Sequence, residues 1–360
     1  MARILPPGAA ICYGWINNNP SREEFMSADH SIARRTVLAG AGAGLVSTLV
    51  ANEASAQAKP EIQASEYWAR KGDVKLYLYR KRLAAKPGET QPALFLVHGS
   101  SNSSRSSYDL SVPGTAEYSM MNVFAQYGFD VWTMDHDGYG RSGSSGNNSD
   151  IASGVEDLKA AMPIVLQETG QQKLHFYGTS SGAIRAGAYA QTAPERVDRL
   201  VLSAFTYKGT GSPEIARRNA VADRYRNSPR RTRDAAMIRS IFTRDGHATA
   251  YDMAVADAIA ADELQFGDQV PTGTYLDMAV NLPLVDPKKV RSPVLMVRGA
   301  HDGNSTNEDL LDFYVQLPNG DRQFVILPHT AHSIGYSNNR HLLWYAVRNF
   351  LQAPAAIPAA

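Results

Sequence analysis

Residues 173–183 read Lys173-Leu174-His175-Phe176-Tyr177-Gly178-Thr179-Ser180-Ser181-Gly182-Ala183, and the fold is decided there. A short run of strand character, residues 173–177, leads directly into a G-x-S-x-G, and a stretch of helical composition, residues 183–193, follows it. A serine on so sharp a strand-to-helix turn exposes its hydroxyl at the sheet edge, and its small neighbours let two backbones approach closely. The helix N-terminus behind it favours developing negative charge. A serine hydroxyl is a poor nucleophile until a base takes its proton, so this turn calls for a histidine and a carboxylate elsewhere in the chain.

On either side, short apolar runs alternate with longer helical ones. Strands are expected at 74–83, 93–97, 130–134, 200–204, 293–297 and 323–327, with helices at 118–126, 151–169, 307–316 and 340–351. That rhythm predicts an α/β fold with a mostly parallel central sheet flanked by helices. The unbroken apolar run Ala93-Leu94-Phe95-Leu96-Val97 fits a central strand buried on both faces. One interval breaks the rhythm, residues 208–290, and loops that long are seldom structureless within a compact domain. Its composition predicts a helical cap inserted between two halves of one core, residues 59–207 and 291–360.

Among nine histidines, His332 is the candidate base, because Ala331-His332-Ser333 forms a loop after the last strand from which it can reach back over the sheet edge. His329 directly follows Pro328 and reads as a locally bonded loop residue. Asp302 is the candidate acid, in the loop after Val297-Arg298-Gly299-Ala300-His301, since residues 203–212 hold no carboxylate. Its alternative roles are a cap for the helix from Asn307 or a partner for Arg298.

With Ser180, Asp302 and His332 in that chain order, residues 66–352 resemble an α/β-hydrolase-fold serine hydrolase of the esterase and lipase kind, carrying a helical cap. Two further motifs support the resemblance: His98-Gly99-Ser100-Ser101 after the strand at 93–97, and Asp135-His136-Asp137-Gly138-Tyr139-Gly140-Arg141-Ser142 after the strand at 130–134. The resemblance implies an oxyanion hole made by the backbone N–H groups of Ser181 and Ser100, a structural role for His98, and hydrolysis through an acyl-enzyme with no metal or organic cofactor. His98-Gly99-Ser100-Ser101-Asn102 departs from the His-Gly-Gly-Pro-Gly loop of proline iminopeptidases. A serine excludes the aspartate-nucleophile mechanism of epoxide hydrolases and haloalkane dehalogenases. A small-molecule carboxylic ester is the expected substrate; amide or carbon–carbon bond hydrolysis on the same three residues, and a non-catalytic binding protein on this fold, are the alternatives.

Composition narrows the partners. The 360 residues are 44% hydrophobic and 20% charged, with 36 Lys and Arg against 35 Asp and Glu, so no global charge draws the protein to nucleic acid. The sole cysteine, Cys12, lies near the N-terminus, which excludes thiol catalysis and a disulfide framework in the body. Residues 1–58 read as an N-terminal extension and address: Arg34-Arg35, an apolar run at 37–50, and Ala56-Gln57-Ala58 as an A-x-A site. They resemble a twin-arginine signal, with Ala33 and Val37 as departures and Met26 as an alternative start. The resemblance implies recognition by export machinery and a periplasmic or secreted protein, which argues against the carbon–carbon bond hydrolases of aromatic degradation, usually cytoplasmic.

The two halves of the cap interval differ in charge. Residues 213–250 hold nine arginines and four acids, whereas residues 251–287 hold seven acids and no Lys or Arg. Arg217, Arg224 and Arg231 recur every seven residues, so a single helix over 215–239 would align them on one face, where they are candidates for gripping an anionic group of the substrate. Otherwise they are solvated helix faces.

Overall fold

The computed structural model describes residues 61–84 and 88–354, so the expected signal segment and A-x-A site lie outside the described residues. In chain order the strands are β1 (Ile62–Lys71), β2 (Val74–Leu83), β3 (Ala93–Val97), β4 (Asp130–Met134), β5 (Leu174–Thr179), β6 (Val197–Ser203), β7 (Arg230–Thr232), β8 (Gln269–Pro271), β9 (Val294–Gly299) and β10 (Arg322–Leu327). Eight form one sheet in the order β1-β2-β4-β3-β5-β6-β9-β10, and β7 pairs with β8 apart from it. β2 runs antiparallel to both of its neighbours, and the remaining strands are parallel. This is the α/β-hydrolase fold.

The continuous apolar runs are explained by burial on both faces. In β3, Phe95 and Val97 point into one core and Leu94 and Leu96 into the other; in β4, Trp132 and Val131 divide the same way. Each such side chain contributes about 1.5–3 kcal/mol by leaving water. The helix Ile151–Thr169 covers one face, capped by the Asp150 side chain accepting the Ser153 N–H and stopped by Gly170 in the left-handed region. β1 was not expected as a strand. It is an edge strand, mostly exposed, so it carries no run of apolar residues to read, and ten residue pairs with β2 hold it in register.

Between β6 and β9 the chain forms helices Pro213–Asn219, Ala222–Arg226, Ala235–Thr243, Met253–Leu264 and Gly273–Val280 together with the β7-β8 pair. The single helix expected over 215–239 does not form. Val221 leaves helical geometry, the second piece ends at Asn227-Ser228-Pro229, and β7 follows. Pro229 has no N–H to continue a helix, and Arg230–Thr232 takes its hydrogen bonds from Gln269–Pro271 instead.

An apolar cluster joins this insertion to the sheet's loops, with Ile238, Phe242, Val255 and Ile259 packed on Leu110 and Tyr118. A buried ion pair adds a second tie. Glu263 is paired with Arg233, and its Oε1 accepts the Ser103 N–H at 2.6 Å and the Ser103 hydroxyl at 2.7 Å. Arg233 in turn donates to the Ser101 carbonyl. Glu263→Ala would strand the Arg233 charge in the interior, and we expect it to lower unfolding stability by about 3–5 kcal/mol in a denaturant titration. A loss below ~1 kcal/mol would mean the pair is not holding the insertion to the core.

Candidate active site

Ser180 sits between β5 and the helix Ser181–Thr192 with φ 56° and ψ −127°, a left-handed backbone that is costly for a residue with a Cβ. What holds it there is close packing. A side chain at Gly178 would meet the Gly182 carbonyl, and one at Gly182 would meet the carbonyls of Val97 and His98, so both positions need glycine. The Ser180 N–H is also tied to the Ser203 carbonyl of β6 at 2.9 Å. The strain aims the hydroxyl out of the sheet edge.

The structure brings the three sequence-selected residues together. His332 Nε2 lies 2.9 Å from Ser180 Oγ, and His332 Nδ1 lies 2.9 Å from Asp302 Oδ1. Asp302 is buried at 3% exposure. Burial alone would push its carboxyl up, but the facing His332, the Asn304 N–H donating to Oδ1 at 2.8 Å, and Arg298 outweigh that and hold it below the usual carboxylate range. Neither alternative role for Asp302 is taken by its side chain: Thr306 caps the following helix, and Arg298 donates to the Asp302 backbone carbonyl. His329 is exposed in its loop at φ 52°.

Two residues from the inserted segment, which the sequence did not single out, position the histidine loop. Asp245 Oδ2 accepts the His332 N–H at 3.1 Å, and the Tyr251 hydroxyl accepts the Ser333 N–H at 3.1 Å. His98 is buried, donates Nδ1–H to the Gly99 carbonyl at 2.8 Å and accepts the His136 N–H on Nε2 at 3.1 Å. Burial, then the adjacent His136, holds its ring well below the ordinary value, so it stays neutral and braces the loop.

That loop, Gly99 to Ser101, lines the same pocket of about 90 Å³ as Ser180 and His332. Ser181 opens its helix, where N–H groups lack helical acceptors. The Ser100 hydroxyl lies 2.8 Å from that of Ser181 and 2.7 Å from that of Thr274, and Ser101 bonds Tyr275. The helix Gly273–Val280 thus grips the loop from the insertion side. Such an arrangement can pass a proton from serine to imidazole beside a helix N-terminus, an environment that favours developing negative charge. Among the described residues, no cluster of three His, Cys, Asp or Glu is placed to hold a metal ion.

The arginines are distributed differently from the expectation. Arg217, Arg224 and Arg231 lie on two helices and a strand, not on one helix face. They still line one cavity of about 550 Å³, and Arg218 and Arg244 line both that cavity and the pocket beside Ser180. The seven-residue spacing assumed a continuous helix, and that premise fails: the three arginines reach the cavity from separate elements, and Pro229 was the available sign that the helix stops.

Fold and site together define an α/β-hydrolase-fold hydrolase. More narrowly, the chain belongs to the serine aminopeptidase S33 family, whose sequence pattern its residues 89–337 match. It is 34% identical over 133 residues to a 2-hydroxy-6-oxononadienedioate/2-hydroxy-6-oxononatrienedioate hydrolase of Paraburkholderia phymatum and 33% identical over 130 residues to one of Burkholderia vietnamiensis. Each match spans 35% of this chain and 39% of the relative. In architecture it is similar to a 2-hydroxy-6-oxo-6-phenylhexa-2,4-dienoate hydrolase of Rhodococcus, with TM-score 0.59 and 17% identity over 81% of this chain and all of that one. It is also similar to an enol-lactonase of Burkholderia xenovorans, with TM-score 0.56 and 15% identity over 79% of this chain and 99% of the other.

Proposed function

We propose that the protein hydrolyses a carboxylic ester through an acyl-enzyme on Ser180. His332 takes the Ser180 proton as the hydroxyl attacks the acyl carbonyl, Asp302 steadies the imidazolium, and the Ser181 and Ser100 N–H groups receive the oxyanion. The protonated His332 then gives its proton to the departing alcohol oxygen. Water repeats the cycle on the acyl-enzyme and frees Ser180. The observation that carries the reading is the unbroken line from Asp302 Oδ1 through His332 to Ser180 Oγ, with both links at 2.9 Å. An amide of a peptide with a free amino terminus is disfavoured, because the arginine-lined cavity beside the site repels an ammonium group. Fluorophosphonate labelling of the protein, followed by a panel of esters, lactones and amides, tests the reading. A folded protein that takes no label and turns over no ester would make this fold a binding module instead.

A second reading rests on the relatives named hydrolases of 2-hydroxy-6-oxo-dienedioates: cleavage of a carbon–carbon bond by the same three residues. Loss of dienol absorbance on mixing with such a substrate, faster than any ester is cleaved, would establish it over ester hydrolysis.

Arg34-Arg35 and Ala56-Gln57-Ala58 support export of a folded, cysteine-free enzyme. Replacing both arginines by lysine is expected to leave the precursor in the cytoplasm on cell fractionation. Unchanged periplasmic enzyme would point to a different export route.

A further inference from the structure

Beside the pocket that holds Ser180 lies the cavity of about 550 Å³, and the two share the side chains of Ser101, Arg218, Ile241, Arg244 and Tyr275 as a common wall. Five arginines line the larger space: Arg217, Arg218, Arg224, Arg231 and Arg244. They face one lining carboxylate, Glu214, which leaves a surplus of four positive charges. Glu214 is already shared three ways. Arg217 donates to it at 2.8 and 2.9 Å, Arg218 at 2.9 Å, and Arg244 Nη1 lies 3.5 Å from it.

Arg218 and Arg244 are the two that matter for the reaction, since they reach both spaces. The Arg218 side chain is 5% exposed, and besides Glu214 it meets the thioether of Met278 and, at 5.6 Å, the ring of Tyr275. Burial, then the neighbouring Arg244 charge, pushes the Arg218 guanidinium below its ordinary value. Arg244 Nε is buried without a hydrogen bond, its facing carboxylate Asp245 Oδ1 lying 4.0 Å away, while Nη2 donates to Asn304 Oδ1 at 3.4 Å. Guanidiniums do not shed their protons to relieve such crowding, so even with Asp245 counted beside Glu214 the five arginines outnumber the carboxylates within ion-pair reach of them. A ligand carboxylate entering the larger cavity would offset that excess, with parallel N–H groups suited to two oxygens.

We propose that this cavity is a carboxylate subsite, and that the substrate is an ester bearing a free carboxylate at a distance from the scissile bond, held by Arg218 and Arg244 while its acyl carbonyl meets Ser180. The inference rests on the hydrolase reading of Ser180 and adds the substrate class. Monoesters of dicarboxylic acids fit the description, the scissile ester facing the serine and the free acid facing the arginines.

The test compares kcat/KM for monomethyl and dimethyl esters of succinate, glutarate and adipate, in wild type and in Arg218→Gln, Arg244→Gln and the exposed, Asp257-paired Arg239→Gln. In parallel, calorimetry follows binding of the same monomethyl esters to Ser180→Ala. The wild type should prefer at least one half-ester by roughly ten- to a hundredfold, the contribution of one charge-assisted hydrogen bond or more. Arg218→Gln and Arg244→Gln should reduce that ratio at least tenfold, and Arg239→Gln should keep it. Should Arg218→Gln fail to fold because Glu214 loses a partner, Arg244→Gln decides alone. A wild type that prefers the diesters throughout, or a ratio untouched by Arg244→Gln, overturns the subsite. If no ester is cleaved yet half-esters bind Ser180→Ala and lose affinity in its Arg244→Gln double variant, the subsite stands and the ester reading falls.

Discussion

Ser180→Ala is expected to leave a folded protein whose ester turnover is lower by on the order of 10⁴–10⁶-fold. The nucleophile makes the bond that every later step depends on, so its loss leaves only what binding and the backbone donors supply. Folding should be little affected. Ser180 is half-buried at the mouth of the pocket, its N–H rather than its hydroxyl ties the turn to β6, and alanine pays the same left-handed penalty that serine already pays. Steady-state kinetics with thermal unfolding as the control measures both halves. Retention of more than about a hundredth of the activity would place the nucleophile elsewhere.

Asp302→Asn carries the next largest effect, and the structure says which part of the carboxylate's role it removes. Oδ1 receives both the His332 Nδ1–H and the Asn304 N–H. An asparagine placed there must keep its carbonyl oxygen at that position, because its NH₂ would oppose the Asn304 donor. The histidine tautomer is therefore retained, and what disappears is the negative charge facing the imidazolium. At about 4 Å and an effective dielectric of about 20, that charge is worth about 4 kcal/mol, or roughly 10³-fold in rate. A downfield Nδ1 proton still visible by NMR, with kcat reduced on that order, is the expected pair of results. Unchanged kinetics would move the acid elsewhere, and Asp245, already on the His332 N–H, would be the residue to examine. The folded carboxyl is held below its ordinary range, so Asp302 stays ionised through neutral pH. Its contribution to stability is present above about pH 4 and is lost only as pH falls through the depressed value.

How much of this was legible in the chain differs by element. Residues 93–97 and 130–134 declared themselves as strands because both of their faces are buried, and the helix Ile151–Thr169 as the longer run between two such strands. The three residues now meeting at 2.9 Å were legible through loop position alone, since each follows a strand of the parallel sheet and such loops gather at one edge. β1 was not legible, being an exposed edge strand whose order comes from pairing with β2.

By itself, then, the sequence determined the strands of the sheet other than β1, the nucleophile turn and the order Ser180, Asp302, His332, because these depend on local burial patterns, on glycines with no room for a side chain, and on loops at strand ends. Only the tertiary structure decided which arginines reach the site and what braces it. Arg218 and Arg244 come from separate helical segments, Glu263 and Arg233 find Ser103 and Ser101 across the fold, and Asp245 finds His332 over 87 positions of chain. Contacts of that kind follow from the path of the inserted segment, and no periodicity in the chain encodes where a helix broken at Pro229 will turn next.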